Sequence, residues 1–314
     1  MTTFVVRRLI VTIPVVLLVG IAAFLLVNLT PGDPADFFLD PDSPPEEVVR
    51  VRERLGLDQP LPVQFVRWFG GVLRGDLGNS FHEKRPVIDM FARAFPPTIY
   101  LTLTSLFLAV VLAVPIGILS AIRQNSLLDR FATVFVLIGV ATPNFWLGLL
   151  LIQLFAVNLG WLPAQGFVRP EQGWWPSLRT LILPSIALGY SGAALIARMT
   201  RSGMLEVLRQ DYVRTARAKG IAENRVNYVH ALRNAFNPIL TVIGLAVTSL
   251  ISGSLVVELV FNFPGVGRLV VDSVFRRDYP VIQGSLLLIA GITIVVNLVV
   301  DLLYAVTDPR IRYG

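Results

Sequence analysis

The sequence contains no cysteine, which excludes disulfides, thiolate metal sites and thiol nucleophiles within the chain. Histidine is almost as scarce, because His82 and His230 are too few for a histidine-rich metal cage. Neither of the two lysines, Lys84 and Lys219, follows a G-x-x-x-x-G pattern, so the sequence has no phosphate-cradling P-loop. These absences predict no catalytic residue, metal site or bound cofactor in this chain.

Charge is also scarce. Charged residues make up 15% of the sequence, against about 25% in typical soluble chains, while 54% of residues are hydrophobic and the mean hydropathy is +0.67. A net charge of +6 would suit a nucleic-acid partner, but the arginines cluster at the ends of apolar blocks, which is typical of membrane topology. We therefore predict an all-α protein in contact with membrane lipid and no nucleic-acid partner.

Six apolar segments are candidates to cross a hydrocarbon core of ~30 Å. They are Leu9–Leu29, Thr98–Ala121, Phe131–Val157, Thr180–Ala197, Ile239–Val257 and Val281–Val300. The first is too long for a usual signal peptide and lacks a small-x-small cleavage site after it, so we expect it to be retained. Arginines are more frequent in the short segments assigned to the inside, which predicts that both termini are cytoplasmic.

The predicted organisation has four parts. An N-terminal helix at 1–29 is followed by an extracytoplasmic region at 30–94, a five-helix core at 95–305 and a tail at 306–314. Short helices are expected at Glu46–Leu55, which Gly56 ends, and at Val63–Leu73. The aromatic side chains of the second short helix are expected to pack against neighbouring spans or at the interface.

The polar segment 198–237 is the most basic stretch between two apolar blocks. Its predicted helical stripe consists of Leu205, Leu208, Tyr212 and Ala216. Gly220 is expected to end this helix, since glycine accepts the left-handed conformation. A second helix is expected to begin near Ala222, and Pro238 is expected to open the next apolar block.

This helix, glycine elbow and helix resemble the cytoplasmic EAA loop of ATP-binding-cassette (ABC) importer permeases. Aligning Gly220 with the loop's glycine places Arg214, Thr215 and Ala216 at the Glu-Ala-Ala positions, so one alanine matches. Leu232 matches the later leucine, whereas other positions depart from the pattern. The strings YVRTARAKG and HALRNA are similar to the dipeptide, oligopeptide and nickel branch of the family. A basic loop that only retains the chain on the cytoplasmic side is the plainer alternative.

The resemblance implies a type I ABC importer permease in a bacterial or archaeal cytoplasmic membrane. It also implies a second, homologous permease, two ATPase subunits that bind ATP and Mg, and an extracytoplasmic solute-binding protein. The residues it assigns to ATPase coupling are Arg214, Thr215, Ala216, Arg217, Lys219 and Gly220.

The outer loop 258–280 lies within the stretch most similar to the family, Gly253–Gly284. The resemblance implies that this loop is a scoop or re-entrant helix beside the outer mouth of the pathway. Its candidate gate residues are Glu258, Phe261 and Arg268, although Glu258 also suits a capping or ion-pair role. Asn144 and Trp146 follow a helix-breaking proline in the third span, where they suit either a pathway-lining kink or interhelical packing.

Two other classes of function remain to be compared. A secondary transporter or channel would need no ATPase, but the middle of each span lacks the charged relay that secondary transporters use. An intramembrane enzyme would need paired carboxylates or an activated nucleophile, and the sequence offers none at suitable spacing. We therefore predict a permease driven by ATP, most simply for dipeptides or oligopeptides. The sequence leaves open glutathione, nickel chelates and sugar oligomers as cargo.

Overall fold

The computed structural model describes residues 2–29, 35 and 44–307, and the regular structure within these ranges is helical. The helices are α1 (Thr2–Leu29), α2 (Pro45–Leu55), α3 (Leu61–Leu73), α4 (Val87–Ile122), α5 (Leu127–Ala141), α6 (Asn144–Leu151), α7 (Trp174–Leu208), α8 (Asp211–Ala218), α9 (Glu223–Arg225), α10 (Leu232–Val260), α11 (Val266–Phe275) and α12 (Tyr279–Thr307). Most of the predicted tail at 306–314, and the start of the predicted extracytoplasmic region, lie outside the described residues.

Several of these helices have the length and composition of membrane spans. Among the described residues, four qualify by themselves: α4, α7, Pro238–Val260 within α10, and Tyr279–Leu302 within α12. The pair α5 and Asn144–Asn158 makes a fifth if it is counted as one span. In α1 the apolar stretch Ile10–Leu26 is shorter than these spans. The all-α membrane class is confirmed, and the number of six spans stays a prediction.

The fourth predicted span, Thr180–Ala197, was too short. Helix α7 is continuous for 35 residues, from Trp174 to Leu208, and contains Pro184. The apolar window marks only the part of a helix suited to hydrocarbon, whereas backbone hydrogen bonding continues into the polar flanks. For the same reason α10 begins at Leu232, so Pro238 lies inside a helix rather than at its start.

The third predicted span is broken near its middle. Helices α5 and Asn144–Asn158 meet at an angle of 108°. Thr142 and Pro143 are both extended, as expected for a proline and for the residue before it, which proline's ring excludes from the helical region. The second arm then passes from α6 into a π-helical turn at Ile152–Asn158. The kink predicted from Pro143 is therefore a sharp break.

The chain divides into two compact units. The first comprises Met1–Phe95 and Leu269–Ile294. Within it, α2 and α3 confirm the two predicted short helices, and Gly56 ends α2 with a φ of +71°. The aromatic side chains of α3 pack against α1, since the rings of Phe65 and Trp68 lie 5.5 and 5.9 Å from that of Phe24. This confirms the interpretation of these rings as packing residues.

The second unit comprises Pro96–Arg268 and Val295–Gly314, and α7 is its central helix. Small residues allow close approach at its contacts. A Cβ atom on Gly189 of α7 would lie 2.7 Å from the carbonyl oxygen of Ser105 in α4. A Cβ atom on Gly139 of α5 would lie 2.6 Å from the Cβ of Ala194. Glycine and alanine at such contacts are typical of helices that associate within membranes.

Candidate functional site

The basic segment 198–237 begins as the last turns of α7 and ends as the first turns of α10. Helix α7 stops at Leu208, and Gln210 adopts an extended conformation before α8 begins at Asp211. The predicted continuous helix through this region is therefore wrong, because a two-residue break separates α7 from α8. The predicted second helix is present, with Ala222 at its N-terminal cap, and it continues through a π-helical turn at Val226–Ala231.

Helix α8 has one buried face and one exposed face. Val213 and Ala216 are 0% and 7% exposed and pack with Val226 from the following helix. Tyr212 is 43% exposed, contrary to the predicted stripe, because the break after Leu208 means that α8 does not continue the phase of α7. The opposite face of α8 presents the exposed side chains of Arg214, Thr215 and Arg217, and exposed Lys219 follows it.

Gly220 forms the elbow after α8. Its φ is +76°, which confirms the predicted left-handed helix end, and its N–H donates to the carbonyl of Arg217. An ion pair crosses the elbow, since Arg217 Nε lies 2.9 Å from Glu223 Oε1. The Arg214 guanidinium lies 3.5 Å from Asp211, with both side chains largely exposed. Such pairs contribute little to stability, but they orient the cations on the exposed face.

An ionic network that the sequence did not predict joins the start of this segment, at Arg201, to Asp129 of α5. Asp129 in α5 accepts hydrogen bonds from Arg201 of α7 through Nε at 2.7 Å and Nη2 at 2.9 Å. The hydroxyl of Ser120 in α4 donates to the same carboxylate, as does the backbone N–H of Asn125. Ser126 caps α5 by accepting from the N–H of Asp129, and this Ser-x-x-Asp spacing was the signal available in the sequence.

Glu258 lies at the other end of α10. It is 0% exposed and receives a 2.6 Å hydrogen bond from the hydroxyl of Thr98 in α4. The backbone N–H of Arg268, in the first turn of α11, donates to its second oxygen at 3.2 Å. A carboxylate at this place satisfies an orphan amide and complements the positive end of the helix dipole. The capping contact anticipated for Glu258 is present, and it reaches the backbone of Arg268.

Two glycines make this contact possible. A Cβ atom on Gly265 would overlap the Glu258 carboxyl group, and one on Gly267 would overlap Leu255 Cα and lie 2.9 Å from Glu258 Oε2. Their role is close approach, since neither has a positive φ. The chain between α10 and α11 is also fixed by Val266, whose N–H donates to the Thr98 hydroxyl at 2.9 Å.

The remaining candidate gate residues lie on α6 and at the end of α10. Phe261 is 2% exposed and belongs to an apolar cluster with Leu101 and Phe263. A Cβ atom on Gly148 of α6 would lie 3.0 Å from the Phe261 ring, which places these elements side by side. Asn144 is partly exposed at the start of α6, while Trp146 is 50% exposed.

Among the residues described, no group of three or more His, Cys, Asp or Glu side chains is arranged to hold a metal ion. Some of the polar groups instead join helices, as the Arg201–Asp129 pair does. Others are exposed on α8, a short cationic helix in the chain between two long apolar helices. Long apolar helices define a multi-pass membrane protein, and a span broken at membrane depth is typical of transporters.

Comparison with known proteins identifies the family. The model of the binding-protein-dependent transport system inner membrane component family matches residues 113–313, and the model of its N-terminal region matches residues 1–102. The chain belongs to this family. It is a multi-pass permease subunit of the bacterial cytoplasmic membrane, which acts in ATP-driven import and leaves nucleotide hydrolysis to separate partner subunits.

Curated relatives match over the full length. The probable peptide ABC transporter permease protein y4tP of Sinorhizobium fredii is 46% identical over 313 residues, with all of both chains covered. The glutathione transport system permease protein GsiC of Salmonella paratyphi A is 47% identical over 313 residues with the same coverage.

Solved structures support the fold. An inward-facing MetNI methionine ABC transporter is similar with a TM-score of 0.59 and 19% identity, over 70% of this chain and 96% of that one. An amino acid ABC transporter solved with histidines gives a TM-score of 0.52 and 20% identity, over 71% of this chain and 94% of that one.

Proposed function

We propose that this permease imports peptides, with dipeptides, oligopeptides and glutathione as the substrate class to test. The full-length relatives, a probable peptide permease and a glutathione permease, support this class. In the proposed assembly the chain pairs with a homologous second permease, two ATPase subunits that bind ATP and Mg, and a solute-binding protein. The two permeases form the translocation pathway between them.

The coupling proposal rests on one observation, that α8 has a buried apolar face and an exposed cationic face. Its cations Arg214, Arg217 and Lys219 are exposed to solvent. The surface ion pairs of Arg214 and Arg217 are weak enough to be exchanged for acidic side chains of an ATPase. Ala216 is buried, so its contribution is to anchor α8 on the chain's own helices. Thr215 lies on the exposed face between the cations, and Gly220 fixes the direction in which the next helix leaves.

On the outer side, Glu258 and Arg268 are proposed to position α11 beside the pathway through the capping contact. Phe261 supports this position from within the core, and Asn144 and Trp146 are proposed to line the pathway where the third span breaks. Because α10 connects the basic segment directly to this outer end, a movement of one end can reach the other through a single helix.

The proposal includes six spans with both termini in the cytoplasm. It also includes a core at 95–305 that contains the coupling segment at 198–237 and the outer loop at 258–280. The bias of arginines toward the short inner segments supports this orientation.

Reconstitution of the complete transporter in liposomes tests the proposal. Labelled dipeptide or glutathione should enter only with ATP, the ATPases and the binding protein, whereas the permease alone should be inert. In the complete system Arg214→Glu should lower uptake at least about tenfold, because like-charge juxtaposition costs several kcal/mol. Arg209→Glu, outside the proposed contact set, is the matched control. ATP-independent uptake by the isolated chain would overturn the mechanism, and uptake of neither peptide would overturn the substrate class.

A further inference from the structure

A cavity of about 380 Å³ lies between α4, α5 and α7, and none of the residues proposed for ATPase coupling or for the outer loop lines it. Its size falls in the range of small-molecule sites. Residues of α5 between Ala132 and Ala141 line most of the length of the cavity. The remaining lining residues are Ala197, Arg198, Arg201 and Ser202 of α7 and Ile116, Gly117 and Ser120 of α4.

The cavity is polar at one end and apolar at the other. The α5 and α7 helices run in opposite directions, since Arg201 pairs with Asp129 while Gly139 lies against Ala194. The end near Asp129 therefore holds Ser120, Thr133, Arg201 and Ser202. The end near Ala141 holds Val136, Leu137 and Val140. This separation suits an occupant with a polar head and a hydrocarbon tail.

The polar end has an excess of positive charge. Asp129 is engaged in the ion pair with Arg201, and among the residues that the structure describes no acidic side chain pairs with Arg198. Arg198 is exposed and lines the cavity. Arg123 and Arg130, also exposed, belong to the turn before α5 and to its first turn. A guanidinium in this position favours a phosphate, to which it can donate two hydrogen bonds.

The apolar end opens onto a surface suited to lipid. Leu137 and Val140 line the cavity and are 63% and 58% exposed, and their neighbours Val134 and Ile138 are 50% and 51% exposed. In a membrane-spanning helix such side chains face acyl chains or another subunit. We propose that this cavity binds an anionic phospholipid, with its phosphate at Arg198 and part of one acyl chain along Val136 and Val140.

Native mass spectrometry of the purified full-length chain tests this proposal. The chain would be incubated in mild nonionic detergent with phosphatidylglycerol or with phosphatidylcholine. Wild type should retain phosphatidylglycerol preferentially. Arg198→Gln should reduce that retention roughly tenfold, the effect of losing one charge-assisted contact. Val140→Trp should reduce it by occupying the apolar end, and because this side chain is exposed the substitution should not impair folding.

Arg209→Gln and Val134→Trp are matched controls, as both alter exposed residues that do not line the cavity. Equal retention by Arg198→Gln and wild type would overturn the proposal, as would equal retention of the two lipids. Complete displacement of the lipid by glycerol phosphate alone would show a site for free phosphate instead. If wild-type chain in the assembled transporter retained no more lipid than Arg198→Gln, the second permease would be the occupant of this face.

Discussion

At the scale of single residues, two buried carboxylates hold together elements that come from distant parts of the chain. Asp129 joins α5 to α7 through Arg201, and Glu258 joins the end of α10 to α4 through the Thr98 hydroxyl. Each carboxylate accepts from several donors, as buried charges require. Glu258 could be selected from the sequence as an acid beside an apolar span. Asp129 was overlooked because its partner lies 72 residues away, a separation that no local pattern reports.

Asp129→Asn should destabilise the chain by about 2 kcal/mol, because it removes half of a buried, bidentate pair and leaves Arg201 without its counter-charge. Asp211→Asn is the control, since Asp211 also pairs with an arginine but has a side chain that is 96% exposed. Thermal unfolding in detergent should show a lower midpoint for the first variant alone. Equal midpoints for both would contradict a structural role for the network.

Gly265→Ala should force the Glu258 carboxyl group away from the start of α11, because the new methyl group would overlap it. Overpacking of this kind costs about 1–3 kcal/mol. Peptide uptake by the complete transporter should fall, with a smaller loss of membrane-inserted protein. Gly291→Ala, in α12, is the control because no atom lies within 4 Å of its added Cβ. Unchanged uptake in Gly265→Ala would show that the cap is dispensable.

At the scale of helices, the sequence predicted which elements exist better than where they end. Gly56 and Gly220 ended helices as expected, because a positive φ at glycine is a local property. The break after Leu208 has no glycine or proline to signal it, so the phase of α8 was assigned incorrectly. Pro143 indicated an interruption, whereas the angle of 108° depends on packing against α7 and α10 that no local pattern contains.

Gly220→Val should abolish most uptake while the chain still inserts, because a β-branched residue at positive φ costs about 1–2 kcal/mol and will distort the elbow. The space around the missing Cβ is open, so backbone conformation is the only obstacle. Gly220→Asn should retain much more uptake, since asparagine tolerates the left-handed region. Comparable uptake by the Val variant and wild type would show that coupling does not depend on the turn at Gly220.

At the scale of the whole molecule, hydropathy and arginine distribution were sufficient to predict a multi-pass membrane protein. Both reflect the solvent around the chain rather than its internal packing. The division into two compact units was not anticipated, since it depends on contacts between the first and last thirds of the sequence.

The absence of cysteine makes the proposed topology directly measurable. With single cysteines introduced at Glu171 or Gln210, a membrane-impermeant maleimide applied to right-side-out vesicles should label the first and not the second. Labelling at Gln210 should appear only after permeabilisation, and the unsubstituted chain gives the background. Labelling of Gln210 in intact vesicles would place the basic segment outside and end the coupling proposal.

The continuity of α7 has a mechanical consequence. At 1.5 Å per residue its 35 residues extend for about 52 Å, well beyond a hydrocarbon core of ~30 Å. The helix exceeds the hydrocarbon thickness by about 20 Å, so part of it lies in the headgroup layers or in water, and it ends two residues before α8. A sideways displacement of the α8 end of this helix would tilt the whole helix. A small movement outside the hydrocarbon core would therefore change helix packing inside it.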